Sequence, residues 1–188
     1  AASDVTHIDK LDPDGTSSLV LRGALAARKQ DYTSALADFD KALGSNRNDA
    51  IALRERGRVY AAKHDDNKAL SDFSRVIELG AGDADLYRTR AQLYAAKGDR
   101  GKAMADFDQA IARDPDNSAG YFARAAMRKA NGDTSGQMAD LNDGLKRQPN
   151  NAAALYERGL LKNGRNDVAG ALSDFDAAIK LDPNNAEF

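Results

Sequence analysis

Along residues 84–117, Tyr87, Ala91 and Tyr94 fall at i, i+4 and i+7, on one face of a helix. Gly98-Asp99 breaks that pattern, with glycine suited to a helix C-terminus. Ala103, Phe107, Ala110 and Ile111 then form the apolar face of a second helix. Asp114-Pro115-Asp116-Asn117 ends it, because proline cannot continue a helix and Asp and Asn favour turns. The segment therefore predicts a helical hairpin with one apolar stripe on each helix. A single hairpin cannot bury both stripes, so neighbours must stack.

The same pattern returns every 34 residues. Pro115, Pro149 and Pro183 keep that spacing, and Pro13 lies three periods earlier. Phe39, Phe73, Phe107 and Phe175 share the period, with Leu141 in the empty place. Arg22, Arg56, Arg90, Arg124 and Arg158 recur as well, each followed by a small residue: Gly23, Gly57, Ala91, Ala125 and Gly159. Asp38, Asp72, Asp106, Asp140 and Asp174 each precede the periodic Phe or Leu. The expected units are 16–49, 50–83, 84–117, 118–151 and 152–185. Ten helices follow, at 17–29, 33–44, 50–63, 67–79, 84–97, 101–113, 118–131, 135–147, 152–163 and 168–181, with no sheet. Residues 1–15 match the end of the last unit: Lys10-Leu11-Asp12-Pro13 repeats Lys180-Leu181-Asp182-Pro183. They read as the second helix of a preceding repeat or as an N-terminal cap, and 186–188 as the start of a following repeat or a tail.

Antiparallel helices joined by a short turn bring each periodic arginine level with the periodic aspartate of its own hairpin. We expect a ladder of partly buried bridges to that aspartate, or else to the aspartate of the preceding repeat. Recurrence in every unit favours architecture over catalysis. Breaking one partner of such a pair strands a charge.

Composition narrows the function. With 42% hydrophobic and 30% charged residues, the chain has the make-up of a soluble globular protein. A net charge of -2 argues against a nucleic-acid partner, and no apolar run reaches the length of a membrane span. The absence of cysteine excludes disulfides and thiol chemistry. His7 and His64 are the only histidines, and they are far apart in register. No phosphate-binding glycine loop, nucleophile elbow or HExxH motif occurs, and Asp12-Pro13-Asp14-Gly15 lacks the ligand alternation of a calcium loop. Nothing points to an enzyme, a cofactor or a metal.

The 34-residue hairpin resembles the tetratricopeptide repeat. The resemblance rests on three series of small residues, the periodic Phe and the terminal Pro. The small residues are the Gly/Ala after each arginine; Ala35, Ala69, Ala103, Gln137 and Ala171; and Ala42, Val76, Ala110, Gly144 and Ala178. It departs at Leu19, Leu53 and Leu155, where that family usually has an aromatic, and at Arg128, Gln137 and Gly144 in the fourth unit. The resemblance implies an all-α, right-handed α-solenoid whose concave face binds proteins or peptides. On that face it puts Arg54, Arg58, Arg88, Gln92, Phe122, Lys129 and Tyr156 above an alanine floor. The arginines suit ligand carboxylates and the aromatics suit apolar anchors. Starting from Arg88 and Gln92, the carboxylate clamp of the chaperone-binding subclass meets Ala123, Ala153 and Glu157, so that clamp is absent. The leading expectation is a non-enzymatic scaffold for a protein or peptide partner. The alternatives are self-assembly through exposed terminal helices, and the repeat region of a larger enzyme. The pattern resembles bacterial arrays, with cytoplasm and periplasm both open.

Overall fold

A computed structural model describes residues 15–187, and the expectations for residues 1–14 (His7 among them) and for Phe188 lie outside them. The described residues form ten helices and no strand. They are α1 (Thr16–Arg28), α2 (Tyr32–Ser45), α3 (Ala50–Ala62), α4 (Asp66–Glu78) and α5 (Ala84–Ala96). There follow α6 (Arg100–Arg113), α7 (Ser118–Ala130), α8 (Thr134–Arg147), α9 (Ala152–Asn163) and α10 (Val168–Leu181). The protein is an all-α repeat solenoid, and none of these helices is long and apolar enough to cross a membrane.

Every helix start after α1 is set by a side-chain cap. Asp31, Asp65, Asp99, Asp133 and Asp167 accept hydrogen bonds from the first-turn amides of α2, α4, α6, α8 and α10. Asp49, Asp83, Asn117 and Asn151 do the same for α3, α5, α7 and α9. Within each hairpin the turn needs one residue in the left-handed region. Gly98 and Gly132 supply it freely, whereas Gln30, His64 and Asn166 adopt it with φ of 60–63° at a steric cost.

The chain forms two compact units, divided after Gly82. In the first, α1 pairs with α2 and α3 with α4, and α3 also packs on α1 and α2. In the second, α5–α6, α7–α8 and α9–α10 are the hairpins; α7 packs on α5 and α6, and α9 on α8. Rings on glycine hold the hairpins close. A Cβ on Gly23, Gly57 or Gly159 would lie 2.8, 2.6 or 2.5 Å from the ring of Phe39, Phe73 or Phe175.

The fourth hairpin exchanges the two partners. Leu141 stands where the others have phenylalanine, and the ring comes instead from Phe122 on α7, lying against Gly144 on α8. The two departures in the sequence are thus one contact with its helices reversed.

The expected ladder is present, and each arginine takes the aspartate of its own hairpin. Arg22 reaches Asp38 at 2.5 and 2.8 Å, Arg56 reaches Asp72 at 2.8 Å and Arg90 reaches Asp106 at 2.7 and 2.8 Å. Arg124 reaches Asp140 at 2.6 and 3.0 Å, and Arg158 reaches Asp174 at 2.7 and 2.8 Å. All five are two-toothed. The third guanidinium nitrogen ties adjacent hairpins: Arg56 to Asp40 at 2.8 Å, Arg124 to Asp108 at 2.6 Å and Arg158 to Asn142 at 3.1 Å. The acceptor in the preceding hairpin therefore lies two residues beyond its periodic aspartate. Hydrogen bonding to Asp72, Asp106 and Asp140 raises the pKa of Arg56, Arg90 and Arg124 despite their burial.

Candidate functional site

With these contacts committed to packing, the inner faces of the first helices remain. In the second unit α5, α6 and α7 line an open groove of about 430 Å³. Gln92 and Ala95 of α5 form one wall, and Ala123, Ala126 and Ala130 of α7 the other. Phe107 and Met127 make the floor, and Gly98 and Arg100 close one end. Four alanines keep the walls low, so the groove can admit side chains of a bound segment. Most of the lining is apolar, with two polar groups, Gln92 and Arg100, both exposed. The Arg100 guanidinium makes no hydrogen bond or ion pair among the described residues.

The expected partner-binding residues have different surroundings. Arg88 is held by Asp85 one turn back on α5. Lys129 is exposed and reaches Glu157 on α9 at 2.5 Å, and Glu157 also accepts from the buried Gln137 at 3.4 Å. Phe122 and Tyr156 are half-buried and packed against the core of the last two hairpins. The Phe122 ring covers Gly144, and the Tyr156 ring lies 5.6 Å from that of Phe175. Both are therefore part of the packing and expose only part of their surface. In the first unit Arg54 donates to the Ala81 carbonyl at 2.7 Å, and Arg58 pairs with Glu55 at 2.7 Å on the exposed side of α3. Arg100 is absent from the expected set because it begins a second helix, whereas the expected inner residues all belong to first helices. Its signal in the sequence is only a basic residue after Gly98-Asp99, with Lys97 and Lys102 close by.

His64 is an exposed turn residue. Among the described residues no three His, Cys, Asp or Glu side chains come together as a metal-binding group.

A sequence profile described as tetratricopeptide repeat matches residues 84–117, and a second with the same description matches 20–84 and 138–186. The chain belongs to the tetratricopeptide repeat family. Membership supports a protein-interaction scaffold on a fold that is typically non-catalytic. Among solved structures the chain is similar to YrrB, described as a tetratricopeptide repeat protein with an unusual peptide-binding site. The TM-score is 0.80 at 20% identity, over 98% of this chain and 95% of that one. It is also similar to MamA, with TM-score 0.80 at 18% identity over 92% of this chain and 94% of that one. A third is MamA from residue 41 onward of Desulfovibrio magneticus, with TM-score 0.80 at 13% identity over 91% and 97%. At these identities the likeness is one of fold. No curated protein matches the chain.

Proposed function

We propose that this chain is a non-enzymatic scaffold that binds an extended or helical segment of another protein. The groove between α5 and α7 is its main contact in the second unit. The carrying observation is the coincidence of an alanine-walled apolar groove with an uncommitted guanidinium, Arg100, at its end. Such a site suits a segment with an apolar side chain for the groove and a carboxylate for Arg100. Gln92 can bond to the segment's backbone. YrrB, of the same fold, is described as having a peptide-binding site, which supports the reading. Arg88, Lys129 and the exposed parts of Phe122 and Tyr156 are further contacts in the second unit, and Arg54 and Arg58 are contacts in the first. Arg58 pairs with the half-buried Glu55 and Arg88 with the exposed Asp85, each three residues away on the same helix. Surface pairs of that kind contribute roughly 1 kcal/mol or less, so a ligand carboxylate can replace one partner.

A peptide-display selection against the chain, followed by fluorescence anisotropy titration, tests this. The selected peptides should carry an acidic residue near an apolar one. Ala126→Trp, which fills the groove from an exposed position, should abolish binding, and Arg100→Glu should weaken it at least tenfold at low salt. Affinity should also fall as salt rises. Peptides that bind equally well to both variants refute the groove.

A further inference from the structure

Three hairpin junctions lie within the two compact units, and they are built alike. The third guanidinium nitrogen of a ladder arginine spans each one, Arg56 to Asp40, Arg124 to Asp108 and Arg158 to Asn142. The connecting turns also match: Asn46, Asp114 and Gln148, at their starts, have φ of -137, -140 and -132°. At the α6–α7 junction the space beside the turn is filled from within. The Tyr121 ring is 7% exposed there, and its hydroxyl donates to the Pro115 carbonyl at 3.1 Å. The Arg147 guanidinium lies over that ring, 4.3 Å from its centre.

One period later and two periods earlier, the counterparts of Tyr121 are Leu155 and Leu53. Leucine has neither the ring nor the hydroxyl, and both of these junctions hold an open crevice. The one between α8 and α9 measures about 520 Å³, with buried Leu145 and Leu155 beneath and exposed Lys146 and Pro149 at its edge. The one between α2 and α3 measures about 420 Å³, with buried Leu43 and Leu53 beneath and exposed Arg47 at its edge. Pro149 and Arg47 are the counterparts of Pro115, and their carbonyls accept no hydrogen bond among the described residues. The Arg47 guanidinium has no ion pair there either, and Lys146 is held by Asp143 in an exposed i,i+3 pair. Each crevice thus combines an apolar floor, an acceptor without a donor and a cation at the rim.

We propose that these two crevices are sites for tyrosine side chains of a partner protein. The ring takes the place that Tyr121 holds at the filled junction. Its hydroxyl donates to the carbonyl of Pro149 or Arg47, and the rim cation, Lys146 or Arg47, lies over its face. An aliphatic side chain covers the same floor but leaves the carbonyl without a donor. Each site is complete within its own compact unit, and neither shares a residue with the groove between α5 and α7.

The test titrates the 15N-labelled chain with N-acetyl-tyrosine amide and follows the backbone amides. Shifts should appear at Leu145, Lys146 and Leu155, and separately at Leu43, Arg47 and Leu53. Leu155→Tyr supplies the ring from within, so it should remove the first set and keep the second. Leu53→Tyr should do the reverse, and in each variant the remaining crevice reports that the chain is folded. N-acetyl-phenylalanine amide should bind about threefold more weakly or worse, the loss of one neutral hydrogen bond. An absence of shifts at either crevice, shifts that survive where the tyrosine has been built in, or equal affinity for the phenylalanine probe overturns the proposal. So does p-cresol that shifts these amides where the tyrosine probe does not, since the occupant is then a free phenol. Ala126→Trp should leave both crevices unaffected, so the groove and the crevices stand or fall separately.

Discussion

Replacing Gly144 by alanine sets two effects against each other. In an unobstructed helix interior, alanine is favoured over glycine by about 1 kcal/mol. At Gly144, however, the new methyl meets the edge of the Phe122 ring, with the second and third ring carbons at 2.7 and 2.9 Å. Real Cβ atoms do not approach that closely, so the ring or α7 must shift, and overpacking of this kind costs about 1–3 kcal/mol. Steric cost outweighs propensity, leaving a net loss of up to about 2 kcal/mol. For a chain of this size that lowers Tm by up to roughly 8 °C. Gly44 is the control: it lies within α2, and a Cβ there meets nothing within 4 Å. Gly44→Ala should therefore raise Tm by a few degrees. The double variant Phe122→Leu/Gly144→Ala should be more stable than the sum of its singles, with a coupling of at least about 1 kcal/mol, because the methyl then fills space that the ring has left. Circular dichroism melts of the five proteins provide the test. If Gly144→Ala raises Tm as Gly44→Ala does, or if its effect simply adds to that of Phe122→Leu, the exchanged ring contact is not what holds the fourth hairpin.

Two further predictions concern the ladder. Asp140 is 1% exposed on its side chain and faces both Arg124 and Arg128, the latter at 2.9 Å, so Asp140→Ala should cost about 3–5 kcal/mol by stranding two cations; a loss in urea denaturation no larger than that of the exposed pair partner Glu78→Ala would contradict it. Burial pushes the Asp174 pKa up, but hydrogen bonds from Arg158 and Lys162 outweigh it and hold the carboxyl below the ordinary aspartate value. Its contribution is thus present above the unfolded pKa, about 3.9, and lost as pH falls through the lower folded value. The Tm gap between the parent and Asp174→Asn should therefore close as pH falls below about 4, and a gap that stays constant as the solution is acidified would exclude Asp174 as a source of acid sensitivity.

The helices were legible because the period fixes them twice. Apolar positions mark their faces, and the recurrent Gly-Asp and Pro-containing turns mark their ends. Each observed boundary lies within one residue of its expected place. The ladder was legible for the same reason, since Arg and Asp return unchanged in all five units. Its links between hairpins were hidden, because the acceptors Asp40, Asp108 and Asn142 vary in residue type while each keeps a side-chain oxygen. Phe122 was harder still. The sequence shows an aromatic on an inner face, a leucine where a phenylalanine is due and a glycine where alanine is usual. Only the packing shows that these three are one exchange. Arg100 was missed because nothing in its own repeat series marks it. Its role depends on what its neighbours leave uncovered.

The fourth and fifth hairpins show a second paired exchange, and it bears on where variation is tolerated. In the second and third, Tyr60 and Tyr94 lie beside the ladder arginines, with Lys68 and Lys102 at 5.1 and 5.2 Å from their rings. In the fourth and fifth the tyrosines become Arg128 and Lys162, which reach the buried Asp140 and Asp174 directly at 2.9 and 2.8 Å. The lysines become Gly136 and Gly170, whose carbonyls accept from the same cations at 3.0 and 3.4 Å. A side chain at Gly136 would meet Arg128, so the glycine is needed once the arginine is there. Each of these four hairpins thus keeps one cation beside its ladder, carried by the second helix outside a ring or by the first helix in place of it; the first hairpin, with Ala26 and Ser34 at these positions, has neither. Changes in the packed parts come in compensating sets because every member touches another. Ala95, Gln92, Ala126 and Arg100 have no such counterpart across the groove, so on the proposed reading their identities are set by the bound segment rather than by packing.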